Sequence, residues 1–404
     1  MGETGVSAVA TSIWGNFTGA FAIRLGATTL QMSLFGALTE LLTALSGLAA
    51  PAMVALLGGR KKSVAITVAV SSVPWLFIAA VPFLAPALGI WVLILSSALA
   101  IALLIVTDPI WGSWMADLVP DYRRGGFLGA RGSLATLVSI AVGITGAAVL
   151  DKLTGGSIGF TPQLKWAFTA LFLVAFSTRI VSAILFSAVV DPRPDLRISF
   201  GMMPKVRFAS LGTTPLGRHH TFVFVFHIAA GLAGPFLALY FLRQLSISYV
   251  TYVGLGAASG IATVITMPFW GKLADVKGNI FVIALSAAAV SVSPMLLLIS
   301  SDLWYLFVIQ VGTGVLTAGW GLSLYNFVIE KSDDENRPAE VAFFHAMAST
   351  GSFIGTLIGG FVASHLPAFN GSQFLTMFLV SGVLRTVSTA VLLPMSMKES
   401  WQPS

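Results

Sequence analysis

The sequence contains no cysteine, which excludes disulfides and thiolate metal sites. It is also poor in charge. Only 9% of its 404 residues are Asp, Glu, Lys or Arg, against about 25% in average soluble proteins. A soluble chain of this length needs two or three cores with polar skins, and the polar material for them is missing. No Gly-x-x-x-x-Gly-Lys-Ser/Thr segment occurs, so ATP bound by this chain is not expected to drive its activity. No basic region with a small-residue cleavage site precedes the first apolar run, so no signal peptide is expected.

What the chain has instead is apolar bulk, 56% of its residues. A solvent of lipid accommodates that composition, because apolar side chains then face outwards. A spanning helix needs about 20 mostly apolar residues. Cutting the sequence at charged or turn-rich segments predicts spans over 7–27, 31–57, 63–84, 88–115, 126–150, 166–190, 221–242, 248–272, 279–300, 303–329, 339–365 and 371–396. The least marked cut is between the first two, where Arg24, Gly26 and the pair Thr28-Thr29 signal a turn.

The loops alternate in charge. Of the 22 basic residues, sixteen lie in loops after even-numbered spans or in the tail, four lie on the other side, and Arg179 and Arg385 fall inside spans. The bias predicts both termini and the even loops in the cytoplasm. It also assigns the basic surplus (net charge +6) to topology rather than to a nucleic-acid partner. The longest cytoplasmic stretch, 191–220, opens with Asp191-Pro192-Arg193-Pro194-Asp195 and reads as a linker. Residues 1–190 and 221–404 then form two six-helix bundles. At an offset of 213, Asp117 falls on Glu330, Arg124 on Arg337 and Gly146 on Gly359, while Arg179 matches Arg385 at an offset of 206. Parallel repeats of six spans are one signature of secondary transporters.

The segment Gly271-Lys272-Leu273-Ala274-Asp275-Val276-Lys277-Gly278-Asn279, placed between spans eight and nine, resembles the loop signature of the major facilitator superfamily. The corresponding first-half loop, Leu57 to Ser63, keeps the cations Arg60, Lys61 and Lys62 and lacks the acid. A second stretch, Trp111 to Pro120 followed by Arg124 to Arg131, is similar to the join between spans four and five in many bacterial facilitator proteins. The antiporter signature of that family, Gly-Pro in the fifth span, is not met. The resemblance implies an all-α polytopic fold of twelve transmembrane helices in two six-helix halves. It also implies that the Gly271–Asn279 loop braces the halves in one state and releases them in the other. Asp117 with Arg124, and Glu330 with Arg337, then pair at the membrane edge or anchor helix ends. Glycines at 351, 355, 359 and 360 put small residues on one face of the eleventh span for close crossing.

A charge at the bilayer centre costs on the order of 3 kcal/mol or more, so embedded polar residues are candidates for function. In a facilitator-like bundle, spans one, four, seven and ten line the central cavity. They carry Asn16, Asp108, Trp111, His227, Gln310, Trp320 and Asn326, and span two adds Glu40. Asp108 and Glu40 are the candidates to load and release a coupling proton. The alternatives are a locally satisfied Asp-Pro bend for Asp108 and a partner cation such as Arg24 for Glu40. His227 is a proton carrier, a substrate donor or a core histidine. Trp111 and Trp320 stack on a solute or pack. Arg179 and Arg385 are expected to find a buried carboxylate or free carbonyls.

Together these readings predict a monomeric secondary active transporter in the inner (plasma) membrane. It moves a neutral or amphipathic organic solute with a proton or other cation, and needs no cofactor, metal or catalytic residue. The other reading is a membrane-embedded enzyme acting on lipid or isoprenoid. Such enzymes need clustered acidic or histidine groups, and the nearest cluster, Asp333-Asp334-Glu335, stands alone.

Overall fold

A computed structural model of the chain describes residues 1–154, 160–192, 211–333 and 337–397. These fold into helices α1 (Gly2–Arg24), α2 (Thr29–Leu57), α3 (Arg60–Phe83), α4 (Pro86–Leu118), α5 (Asp121–Thr154) and α6 (Pro162–Ala188). The second series is α7 (Pro215–Gln244), α8 (Tyr249–Lys277), α9 (Asn279–Leu296), α10 (Leu303–Lys331), α11 (Arg337–Val362) and α12 (Gln373–Met397). Eleven of them are long and apolar enough to cross a membrane. The other, α2, has 29 residues, also sufficient to span about 30 Å of hydrocarbon. The expected twelve spans therefore each correspond to a helix. Helices are the form that satisfies every backbone N–H and C=O within the segment where no water is available.

The ends are set locally. Thr28 accepts from the Gln31 backbone N–H at 3.2 Å while the Gln31 side chain accepts from the Thr28 N–H at 2.9 Å, a capping box that starts α2 at the least marked boundary. Asp302 accepts from the N–H groups of Trp304 and Tyr305 at the start of α10. Gly58 (φ 73°) and Gly278 (φ 83°) make the two tight reversals between α2 and α3 and between α8 and α9, where a side chain would be strained.

Proline within helices would leave carbonyls unpaired in lipid. At Pro235, which interrupts α7, the Gly231 carbonyl is taken by the Thr356 hydroxyl at 3.2 Å. At Pro294 in α9, Ser293 donates to the Val290 carbonyl at 2.9 Å. Both hydroxyls stand in for the missing N–H.

The chain divides into two compact units, Met1–Gly201 with Ser246–Val253, and Met202–Leu245 with Gly254–Ser404. Most of the stretch read as a linker, 193–210, lies outside the described residues, and α7 already begins at Pro215 within that stretch. In the second unit, α7 and α11 make a seam through the expected glycines. A Cβ at Gly351 would run into the Phe224 carbonyl, at Gly355 into that of Ile228, and at Gly359 into that of Leu232, 2.6 Å away. Each step of four residues on α11 thus meets a step of four on α7. In the first unit Gly146 lies against the Phe17 ring of α1, where a Cβ would come within 2.7 Å, so its repeat partner Gly359 serves the equivalent helix pair.

Gly355→Leu is predicted to destabilise the second unit by about 1–3 kcal/mol through overpacking, seen as a lower unfolding midpoint in detergent. Gly254→Ala, where a Cβ meets nothing within 4 Å, should leave the midpoint unchanged.

Candidate functional site

The polar side chains fall into groups within each unit. In the first unit, Arg60 opens α3 and is 1% exposed. It donates to Asp117, in the last turn of α4, at 2.8 Å, and to Asp191, just beyond α6, at 3.1 Å. It also reaches the Ser113 carbonyl at 3.1 Å. One guanidinium, with its several donors in a fixed fork, therefore ties the same end of three helices. The Trp114 indole adds a bond to the Val190 carbonyl at 3.2 Å beside it. From the sequence, Arg60 is a loop cation and Asp191 the head of a linker; both are structural anchors. Their positions, both just after even-numbered spans and so on one side, were the signal in the sequence.

Deeper in the same unit, Asp108 precedes Pro109 within α4 and its side chain is exposed. Arg131 and Arg179 both act on it electrostatically. Arg131, expected in a loop, lies within α5 because the helix starts ten residues earlier at Asp121. Its guanidinium stacks 4.0 Å from the Trp111 ring centroid and its Nε donates to Thr4 at 3.1 Å. That ring face is thereby occupied by a cation. Arg179, 3% exposed, donates to the hydroxyls of Ser7 at 2.9 Å and Thr11 at 3.2 Å. Glu3 and Asp108 are the acids acting on it, and Glu3 itself accepts from Ser182 at 2.9 Å.

Asn16, on a π-helical turn at Trp14–Thr18, donates to the Ser12 carbonyl at 3.0 Å and lies against Gly143 of α5. Its amide is thus engaged within α1 while it packs on α5, and Ser12 beside it donates across to the Ser139 carbonyl of α5 at 2.7 Å. Glu40 is half-buried on α2. Asp151, near the end of α5, accepts from the N–H groups of Tyr249 and Val250 at 2.8 Å each, within the first unit.

In the second unit, His227 donates from Nδ1 to the Val223 carbonyl one turn back, at 2.8 Å. The bond leaves Nε2 as an acceptor. Of the two readings of Trp320, solute stacking or packing, the geometry favours packing: it is 9% exposed and lies on Phe226 and Phe222, with centroids 4.3 and 5.8 Å away. Its flat face is taken by the core. Asn326 is half-buried. Gln310 lines a cavity of about 150 Å³ within this unit, together with Thr313, Ser293, Phe378 and Arg385.

The expected gating residues separate. Gly271 and Asp275 do not lie in a loop: Lys272 to Lys277 lack a helix breaker, so α8 continues to Lys277 and only Gly278 turns the chain. Gly271 has room, since a Cβ there would meet only Leu322 at 3.8 Å. Asp275 is exposed. Glu330 accepts from Asn279, the first residue of α9, at 2.9 Å and from Lys331 at 3.0 Å. This repeats the Arg60–Asp117 arrangement with an amide in place of the guanidinium. Arg337 opens α11, half-buried. The side chain of Arg124 lies outside the described residues.

Residues 221–404 match the family model of the Major Facilitator Superfamily. The curated relatives include the multidrug resistance protein MdtG of Klebsiella pneumoniae (strain 342), 30% identical over 145 residues that cover 34% of either chain. They also include the quinolone resistance protein NorA of Staphylococcus aureus (strain MRSA252), 28% identical over 167 residues covering 40% of this chain and 42% of the relative. The chain thus spans about a third of the length of the first curated relatives it matches. Solved structures align along nearly the whole chain. The nucleoside transporter NupG has a TM-score of 0.73 at 12% identity, covering 97% of this chain and 98% of its own. A bacterial homolog of the human lysosomal transporter Spinster has a TM-score of 0.72 at 15% identity, covering 100% and 97%.

Arg60→Ala would remove the guanidinium shared by two largely buried carboxylates, whose side chains are 9% and 7% exposed. It is predicted to cost roughly 3–5 kcal/mol, measured by reversible unfolding in detergent. The loss should shrink when Asp117 and Asp191 are also replaced by Asn, because no charge is then stranded.

Proposed function

We propose that this chain is a secondary active transporter of the major facilitator type, moving a small amphipathic organic solute and coupled to protons. The solute crosses the cytoplasmic membrane by alternating access, the two units acting as the moving halves of a monomer. Both termini lie on the cytoplasmic side, where the basic loops collect.

The observation that carries the coupling is Asp108. It is an exposed carboxylate within an otherwise apolar span, preceding a proline and acted on by Arg131 and Arg179. A carboxylate facing lipid at that depth would be costly; one facing water within the bundle can exchange protons. Arg179 is held by two hydroxyls and acted on by Glu3 and Asp108, so the charge on Asp108 is one of two acidic contributions to its balance. Protonation then alters the balance of the polar group that joins α1 and α6, a local change of the kind that biases a two-state element. Glu40 is the second candidate on the proton route, and His227 the third.

The solute is proposed to be amphipathic because Gln310, Asn326 and His227 offer polar contacts in mainly apolar surroundings. The relatives' printed names, which speak of multidrug and quinolone resistance, support that choice. The gating set, Asp117, Arg124, Gly271, Asp275, Glu330 and Arg337, is proposed to hold one of the two states. A lipid-processing enzyme has no comparable support: the family match and the structural neighbours are transporters.

A thermal-shift screen of the detergent-purified chain against sugars, nucleosides, organic anions and hydrophobic cations should show stabilisation by one class. With that solute, Asp108→Asn is expected to abolish gradient-driven accumulation while solute binding and unfolding midpoint persist. Normal accumulation in the variant would remove Asp108 from the coupling. Asp275→Ala should lower turnover several-fold at unchanged solute affinity; unaltered turnover would make that residue a surface charge only.

A further inference from the structure

The two arginines related by the internal repeat have opposite surroundings. Arg179 on α6 has two hydroxyl partners on α1 and two acids acting on it. Arg385 on α12 makes one side-chain hydrogen bond among the described residues, 3.3 Å from Nη2 to the Ala230 carbonyl of α7, and its guanidinium lies 6.0 Å from the Phe226 ring centroid. Its Nε is buried without a hydrogen-bond partner, and no carboxylate acts on it among the described residues. The reason lies in the sequence: where α1 offers Ser7 and Thr11, the facing turn of α7 reads Ala229-Ala230-Gly231 and has no side-chain acceptor.

Arg385 lies within a membrane span, Gln373–Pro394, so an unneutralised guanidinium there is expensive. It is not sealed in. It lines the cavity of about 150 Å³ in the second unit, with Gln310 and Thr313 across from it on α10. The side chains of Gln310 and Thr313 make no hydrogen bond to the described residues, so an amide N–H2 and a hydroxyl are available beside the guanidinium. The titratable group in electrostatic range is His227, a basic side chain, so it brings no negative charge. The remaining wall is apolar, formed by Leu237, Leu297, Ile309 and Phe378. A cavity of about this volume takes a benzene-sized body.

We propose that this cavity is a binding site for the oxyanion of an amphiphile, a carboxylate or phosphate on an apolar body. Arg385 supplies the charge, with Gln310 and Thr313 as further donors. A guanidinium and a carboxylate form strong, charge-assisted hydrogen bonds, and the bound anion neutralises a charge the protein itself leaves open. The source is either a small aromatic acid carried as solute or the acidic head of a membrane lipid. The first case deepens the transport reading and rests on it; the second does not need it.

The test is binding to the purified full-length chain in a neutral detergent by calorimetry, comparing benzoate with its uncharged isostere benzamide, and oleate with oleamide. The account expects at least one acid to bind about tenfold or more tightly than its amide. Arg385→Gln should abolish that preference and Arg385→Lys should keep part of it. A preference in the benzoate pair identifies a solute-sized acid, and one confined to the oleate pair a lipid; either supports the site. Equal affinity of acid and amide in both pairs overturns it, as does a preference unchanged in Arg385→Gln. Should Arg385→Gln fail to fold, Gln310→Leu with Thr313→Val must weaken the acid and spare the amide. Transport of an uncharged solute by the same preparation reads the transport proposal separately, since it does not depend on Arg385.

Discussion

An ionised side chain inside an apolar slab has to be neutralised by the protein or by something it binds, and three arginines show three ways this is done. Arg60 is held by two carboxylates and a serine carbonyl at the end of its helix bundle. Arg179 is held by hydroxyls, with two acids in electrostatic range. Arg385 has one carbonyl and an open cavity. The first arrangement fixes helix ends, the second leaves an exposed acid whose charge matters, and the third leaves donors for a ligand. The proposed roles, anchor, coupling group and binding group, follow the order in which the three guanidinium groups are satisfied.

The same constraint acts on the backbone. Each proline that interrupts a helix frees a carbonyl that water would take elsewhere; here Thr356 and Ser293 supply the hydroxyl. Just before the break at Pro235, α7 carries the small residues Ala229–Gly231 in its last helical turn. That turn lets Ser352 and Thr356 of α11 approach closely and denies Arg385 a side-chain partner. Close packing and an unsatisfied charge thus share one cause.

The helical architecture was legible in the sequence because lipid makes the rule one-dimensional: apolar length defines a span. The glycine stripe of α11 was legible for the same reason, since small residues four apart mark one face. The electrostatics were less so. Arg131 and Asp275 read as loop residues because charge was used to cut the spans, yet both lie within helices whose propensity runs past the membrane edge. For Trp320 the sequence left stacking on a solute and packing both open, because a span that faces a cavity also turns a face to the core; the ring is buried on Phe226. The Arg60 anchor joins residues 53 and 131 positions apart, a pairing that no local pattern announces.

The central claim, that solute and proton movements are coupled, is tested most directly by trapping a pH-sensitive dye inside vesicles reconstituted with the wild-type chain. Solute is then added outside, without any imposed pH gradient. The account predicts a change of internal pH that depends on solute concentration and is absent from protein-free vesicles. Solute uptake at constant internal pH would contradict it.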